Sequence, residues 1–192
     1  MPQNAFATAS AQAAPRHPNA IVAAHWLTAV AILFSFALVL LREVAEGDFL
    51  RAGLLNAHRV SGLLIGLLAV SRVLFRWHKP MARPVAQTTR LQRWAAASVH
   101  GLLYALLLTL PVLGVLLTNA RGHLVVLPGL GSLPPLVGQD LDWADDLEEW
   151  HGDLAWLLAG LVGLHAAAAL WHHFARKNNV LRAMAPWLRG RN

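Results

Sequence analysis

The chain has 192 residues, 56% of them hydrophobic, with 16 Lys and Arg, 10 Asp and Glu, 10 His and no Cys. The missing cysteine excludes disulfides, iron–sulfur clusters and thiolate chemistry and leaves histidine as the good nitrogen ligand. The apolar content, gathered into uncharged runs of roughly twenty residues, reads as one integral-membrane domain. The net charge of +6 does not indicate nucleic acid, because the Lys and Arg residues flank apolar segments instead of forming one patch with interleaved aromatics.

Residues 1–19 are rich in Ala, Gln and Ser, have no basic residue before Arg16 and lack the apolar core of a secretory signal, so they read as a disordered tail. The first predicted helix covers about residues 20–41 without a charge and carries His25 near its start. A short loop, Arg42 to Gly53, holds Glu43, Glu46 and Asp48. The second helix, about 54–75, has His58 near its start and Arg72 and Arg76 at its end, whose long stems can snorkel to the interface. Its Gly62 and Gly66 share a face, which fits either close helix packing or room for a flat macrocycle. The loop from Trp77 to Arg93 is basic, with Lys79, Arg83, Arg90 and Arg93.

The third helix, about 94–119, contains His100 and a mid-span Pro111, where neighbouring helices can re-satisfy the freed carbonyl. A long Gly- and Pro-rich connection then leads through the acidic DLDWADDLEEW stretch, in which Asp142 or Asp145 is the expected cap of a fourth helix, about 143–174. That helix carries His151 and His165. Residues 175–192 are a basic tail expected to lie on the membrane surface.

Alternate loops fall on alternate sides. Twelve basic and no acidic residues lie on the side of the tails and the second loop, whereas Arg42, Arg51, Arg59 and Arg121 oppose all ten acids on the other, a net −6. The positive-inside rule therefore predicts cytoplasmic N- and C-termini. Trp26, Trp77, Trp94 and Trp171 on one side and Trp143 and Trp150 on the other suit interfacial belts.

In an up-down arrangement of these helices the histidine depths are linked. His25, early in the first helix, meets the level of His165, late in the fourth; His58 and His151, early in the second and fourth, meet each other. Fourteen residues separate His151 from His165, which returns to within roughly 40° of one helix face and spans about 21 Å along the axis. Facing histidines in a bundle core are where such folds bind metals and cofactors. Two bis-imidazole pairs without carboxylate or thiolate suit low-spin haem b, with both axial positions filled. Zinc or proton transport is the competing reading, but zinc wants three or four clustered ligands, and pairs about 20 Å apart do not cluster. His100 lies at the depth of His25 and His165 and by spacing alone could replace either. Arg59 and Arg121 at one end, and Arg72 and Arg76 at the other, are candidate partners for haem propionates. His17, His78 and His123 read as surface residues.

The HW of the first helix, HRVSGLL followed by RVLFR in the second, His100, the NARG after it, WHGDLAWLLAGLVGLHAAAALWHHF and the downstream VLRAMAP together resemble the bacterial cytochrome b561 family over nearly the whole chain after residue 19. The closing segment is the most specific, and it is similar to the superoxide oxidase branch. The resemblance implies an all-α transmembrane four-helix up-down bundle binding two b haems in the bacterial inner membrane, with ubiquinone as electron acceptor or donor. It puts His25 with His165 on the cytoplasmic haem and His58 with His151 on the periplasmic haem, agreeing with the depth pairing. It makes His100 a non-ligand that could hydrogen-bond a propionate or quinone, and His172 the quinone-side histidine. Ala23 and Ala24, ahead of His25, offer no side-chain donor to a quinone carbonyl.

The expected function is electron transfer between a periplasmic donor and the quinone pool, foremost as a superoxide:ubiquinone oxidoreductase. The alternative is a non-enzymatic carrier or anchor subunit for a periplasmic redox protein, docked on the acidic Asp140 to Glu149 stretch. Anionic superoxide would profit from positive steering, which the net −6 of that side opposes unless its arginines cluster.

Overall fold

In the computed structural model, residues 19–78, 89–177 and 180–185 are described, the side chains of His78 and Val180 excepted. The predicted N-terminal tail, the middle of the second loop and the end of the C-terminal tail fall outside them, as does His17. Four helices are long and apolar enough to cross a membrane: α1 (Asn19–Val44), α2 (Asp48–His78), α3 (Arg90–Ala120) and α4 (Leu141–Phe174), of 26, 31, 31 and 34 residues. A short α5 (Val180–Met184) follows.

The ends of the helices extend past the apolar runs because local chemistry starts and stops them. Gly47, at φ +86°, makes the turn between α1 and α2 in a conformation that only glycine takes freely. Arg51 Nε closes this turn on the Ala45 carbonyl at 2.9 Å. Thr89 and Gln92 form a reciprocal capping box at the start of α3, a T-x-x-Q signature that sits ahead of the apolar run. Asp140, not Asp142 or Asp145, caps α4: its carboxylate accepts from Trp143 N at 3.0 Å. A cap must precede the first helical residue, and α4 begins at Leu141, so Asp142 and Asp145 already lie inside it.

The third connection is ordered. β1 (Val126–Leu127) pairs antiparallel with β2 (Gly131–Ser132) around Pro128 and Gly129. Leu130 N donates to Leu127 O at 3.0 Å and Gly129 has φ +75°, which is a type II turn with Pro and Gly at their favoured positions. Buried Asn119 anchors the connection, donating to the His123 carbonyl and accepting from Leu136 N.

Neighbours in sequence pack on each other, α1 on α2, α2 on α3 and α3 on α4. At one α2–α3 contact glycine meets proline: a Cβ on Gly66 would stand 3.2 Å from Cβ and Cγ of Pro111. A Cβ on Gly62 would meet nothing within 4 Å. The two readings of this glycine pair therefore divide, packing at Gly66 and open space at Gly62. The ring contacts joining α1 to α4 are His25 with His165 and Phe36 with Trp156.

The apolar core is small and central. Ala31 and Ile32 of α1, Ile65 and Ala69 of α2, Leu106, Leu107 and Leu110 of α3 and Leu158 of α4 form one buried cluster. Leu158 is seven residues from both His151 and His165, so it stands on their face midway between them. Much of the remaining apolar surface is exposed, including Leu33, Phe34, Leu67 and Trp171, as expected of helices facing lipid.

Candidate functional site

Two histidine pairs lie above and below that core. At one end α1 and α4 present His25 and His165, with ring centroids 6.2 Å apart and planes at 64°. At the other, α2 and α4 present His58 and His151, also 6.2 Å apart, at 79°. His58 and His151 are each ten residues past the first residue of their parallel helices, which is why they share a level. All four rings are half-buried.

The separation is informative. Two imidazoles bound end-on to one metal, with nitrogen–metal distances of about 2.0–2.1 Å, place their centroids roughly 6.3 Å apart. Rings in direct contact can come closer, as His100 and His165 do at 5.2 Å. Both pairs have the spacing for a shared ion; His100 against His165 does not. His100 also donates from Nδ1 within its own helix, to the Ala96 carbonyl at 2.7 Å.

The outer nitrogens differ between the pairs. His58 Nδ1 lies 3.1 Å from the Ser35 carbonyl and 2.9 Å from its Oγ. Donation to the carbonyl fixes the proton on Nδ1 and frees Nε2 as a ligand, the usual outer support of a metal-bound imidazole. Ser35 is a buried hydroxyl in an otherwise apolar run, and that mid-span position was the available signal for it. His151 Nδ1 is buried without a hydrogen bond of ordinary geometry. Gly114 of α3 sits beside it, where a Cβ would come 3.4 Å from Cε1, so a residue larger than alanine would press on the ring. His25 Nδ1 has Arg72 Nη2 at 3.4 Å, and the same guanidinium lies 5.2 Å from the centroid of the Tyr104 ring.

The remaining sequence candidates are scattered. Arg59, next to His58, is half-buried and lies near enough to Arg42 for the two to repel. Arg121 binds Asp145 Oδ1 at 2.8 Å and also Glu148, and the hydrogen bond to Glu148 raises its pKa above the ordinary guanidinium value. It is thus engaged with the acidic start of α4. His172 is half-buried two turns beyond His165 on nearly the same face. His123 is exposed. Trp26, expected as an interfacial anchor, donates from Nε1 to the Met184 carbonyl at 2.6 Å and ties α5 to α1; with Ala185 buried, this part of the basic tail folds against the bundle. Among the described residues no cluster of three or more His, Asp or Glu could hold a metal ion, so these sites suit a group that brings its own equatorial ligands.

The residues present fit haem b. At each end two half-buried imidazoles could hold its iron, His151 Nδ1 is buried without a hydrogen bond of ordinary geometry, Gly62 leaves open space one turn from His58, and no thiolate competes.

Comparison with known proteins agrees with this chemistry. Relatives include a protein named probable superoxide oxidase CybB from Yersinia pestis, 30% identical over 166 residues, 86% of this chain and 93% of the relative. Cytochrome b561 homolog 2 of Escherichia coli (strain K12) is 32% identical over 166 residues, 83% of this chain and 86% of its own. Cytochrome b561 homolog 1 of the same organism is 27% identical over 163 residues, covering 84% and 92%. The family model described as prokaryotic cytochrome b561 matches residues 16–187. The chain belongs to the prokaryotic cytochrome b561 family, integral-membrane proteins that transfer electrons on haem b.

Proposed function

We propose that the protein is a di-haem superoxide:ubiquinone oxidoreductase of the bacterial inner membrane, with both termini cytoplasmic. The observation that carries this reading is the two histidine pairs, each 6.2 Å apart, close to the spacing of two imidazoles that share one iron. His58 and His151 hold the periplasmic haem; His25 and His165 hold the cytoplasmic one. Haem held by two histidines would supply one-electron transfer. The overall reaction oxidises two superoxide anions to dioxygen, and two electrons with two protons reduce one ubiquinone to ubiquinol.

The chain's own residues set the terms. Ser35 holds the His58 proton on Nδ1. Were His25 to hold the iron through Nε2, its proton would sit on Nδ1 and the Arg72 guanidinium, now beside that nitrogen, would be left to pair with a carboxylate. The Leu106, Leu107, Leu110 and Leu158 cluster keeps water from the space between the two pairs. His172, with His100 one helix away, lies at the end where protons for the quinone enter from the cytoplasm. The similarity to the Yersinia protein named as a probable superoxide oxidase supports superoxide as donor.

A second reading, a carrier serving a periplasmic redox protein, is favoured by a groove lined by Arg121 and, on α4, by Asp145, Glu148, Glu149, Asp153 and Trp156; Arg121 is taken up by Asp145 and Glu148, which leaves Glu149 and Asp153 for a basic partner. The Escherichia relatives bear only the general cytochrome name. One experiment separates the two. Haem is quantified per chain in the purified protein, and its reduction by superoxide and reoxidation by ubiquinone are followed by stopped flow. Two haems, reduced at once and reoxidised by quinone, support the oxidase; two haems left oxidised by superoxide support the carrier; no haem refutes both.

A further inference from the structure

Four arginines lie at the His58 end: Arg42, Arg51, Arg59 and Arg121. Two of them are occupied, Arg51 by the Ala45 carbonyl and Arg121 by Asp145 and Glu148. The other two are less fully paired. Arg42 meets Glu43, its neighbour in sequence, through Nη1 at 3.3 Å, and its Nε is buried without any hydrogen-bond partner. Arg59 is half-buried and has no carboxylate or carbonyl partner among the described residues; the charge acting on it is that of Arg42, of the same sign.

Their positions converge on one spot. Arg42 follows Ser35 by seven residues, on the same face of α1 and about 10.5 Å nearer the helix end. Ser35 is the residue that holds His58. Arg59 directly follows His58, and because side chains on a helix lean toward its N-terminus, its long stem rises toward the level of Arg42. Two guanidiniums drawn together at the edge of an apolar span, one with a buried unpaired N–H, are costly unless an anion lies between them.

The anion must carry charge enough for two arginines and must sit beside the His58 and His151 rings. Haem b has two carboxylates, and the guanidinium fork pairs with carboxylate through two parallel hydrogen bonds. We propose that Arg42 and Arg59, and not Arg121, hold the carboxylates of the haem bound by His58 and His151. This inference rests on the di-haem reading above. It also bears on the charge at this end: within the net −6 an arginine pair stands at the histidine site, while seven of the ten carboxylates lie at the start of α4, from Asp140 to Asp153.

The test uses the full-length protein in detergent with Arg42→Gln, Arg59→Gln, the double variant, Arg121→Gln, and the charge-keeping Arg42→Lys and Arg59→Lys. Three quantities are read: haem per chain, the rate of haem transfer to apomyoglobin, and the midpoint potential of each haem, with that of the His58 haem assigned by its loss in His58→Ala. Phosphorus per chain reports bound phospholipid.

The expected result is that each Gln variant releases one haem on the order of tenfold faster, the loss of one charged hydrogen-bonded pair, and lowers the potential of that haem alone. The Lys variants recover most of the potential, which a merely structural role would not produce. Arg121→Gln resembles the parent protein. Gln variants with unchanged haem release and potentials overturn the proposal while leaving the di-haem reading intact. Gln variants that lose phosphorus but keep both haems unchanged overturn it too, in favour of a lipid phosphate. A parent protein without haem sinks both readings together.

Discussion

Gly62 and Gly66 stand one turn apart on the same helix, yet substitutions there should act through opposite mechanisms. In Gly66→Ala the new methyl lies 3.2 Å from two carbons of the Pro111 ring. The ring is rigid and the backbone must give by a few tenths of an ångström, an overpacking cost of about 1–3 kcal/mol. Removing a mid-helix glycine returns about 1 kcal/mol, so the net is a destabilisation of about 0–2 kcal/mol in the whole bundle, felt by both haems. Gly62→Ala meets nothing within 4 Å, and without cofactor it should be neutral or more stable by about 1 kcal/mol. Gly62 follows His58 by one turn, about 6 Å deeper, so its open space adjoins the His58 and His151 pair. Gly62→Phe should therefore leave the apoprotein folded but exclude the haem beside it, giving one haem per chain. Thermal unfolding of the haem-stripped protein and haem content of the loaded one separate the effects. If Gly62→Phe retains two haems with unaltered spectra, the open space is not a cofactor pocket and the reasoning fails.

Other substitutions test the remaining links. His58→Ala or His151→Ala should each leave one haem per chain, the double variant no fewer, and His25→Ala or His165→Ala should remove the other haem. His100→Ala should retain both, because 5.2 Å between its ring and that of His165 leaves no room for iron; loss of a haem in that variant would make His100 a ligand. Asp140→Ala should lower the stability of α4 by about 1 kcal/mol through loss of its cap, seen as a lower thermal midpoint, whereas Asp142→Ala should not. Trp26→Phe removes the donor to the Met184 carbonyl, and amide hydrogen exchange at residues 181–185 should quicken with exchange in α1 to α4 unaltered.

Much of the architecture is local and therefore readable along the chain. An apolar run needs only length to span a bilayer, so four helices and their alternating directions follow from composition and loop charge. Helical periodicity then fixes the shared face of His151 and His165, and the alternation of helices fixes which histidines stand level. The proline and glycine of the β1–β2 turn and the T-x-x-Q ahead of α3 were equally local signals, short enough to be overlooked beside the long apolar segments.

Whatever depends on how close two helices come was not legible. The same glycine spacing serves packing at Gly66 and open space at Gly62 because only one of them faces Pro111. His100 has the depth of a ligand, and its ring contact with His165 is a matter of helix placement. Arg121 and Arg42 are both cations near the same end; the fold gives one to two carboxylates and buries part of the other unpaired. Sequence determined what each helix carries and at what level, since both are set by residue order along one axis. Only the tertiary structure decided which side chains meet across the bundle, because lateral distance and rotation depend on all four helices at once.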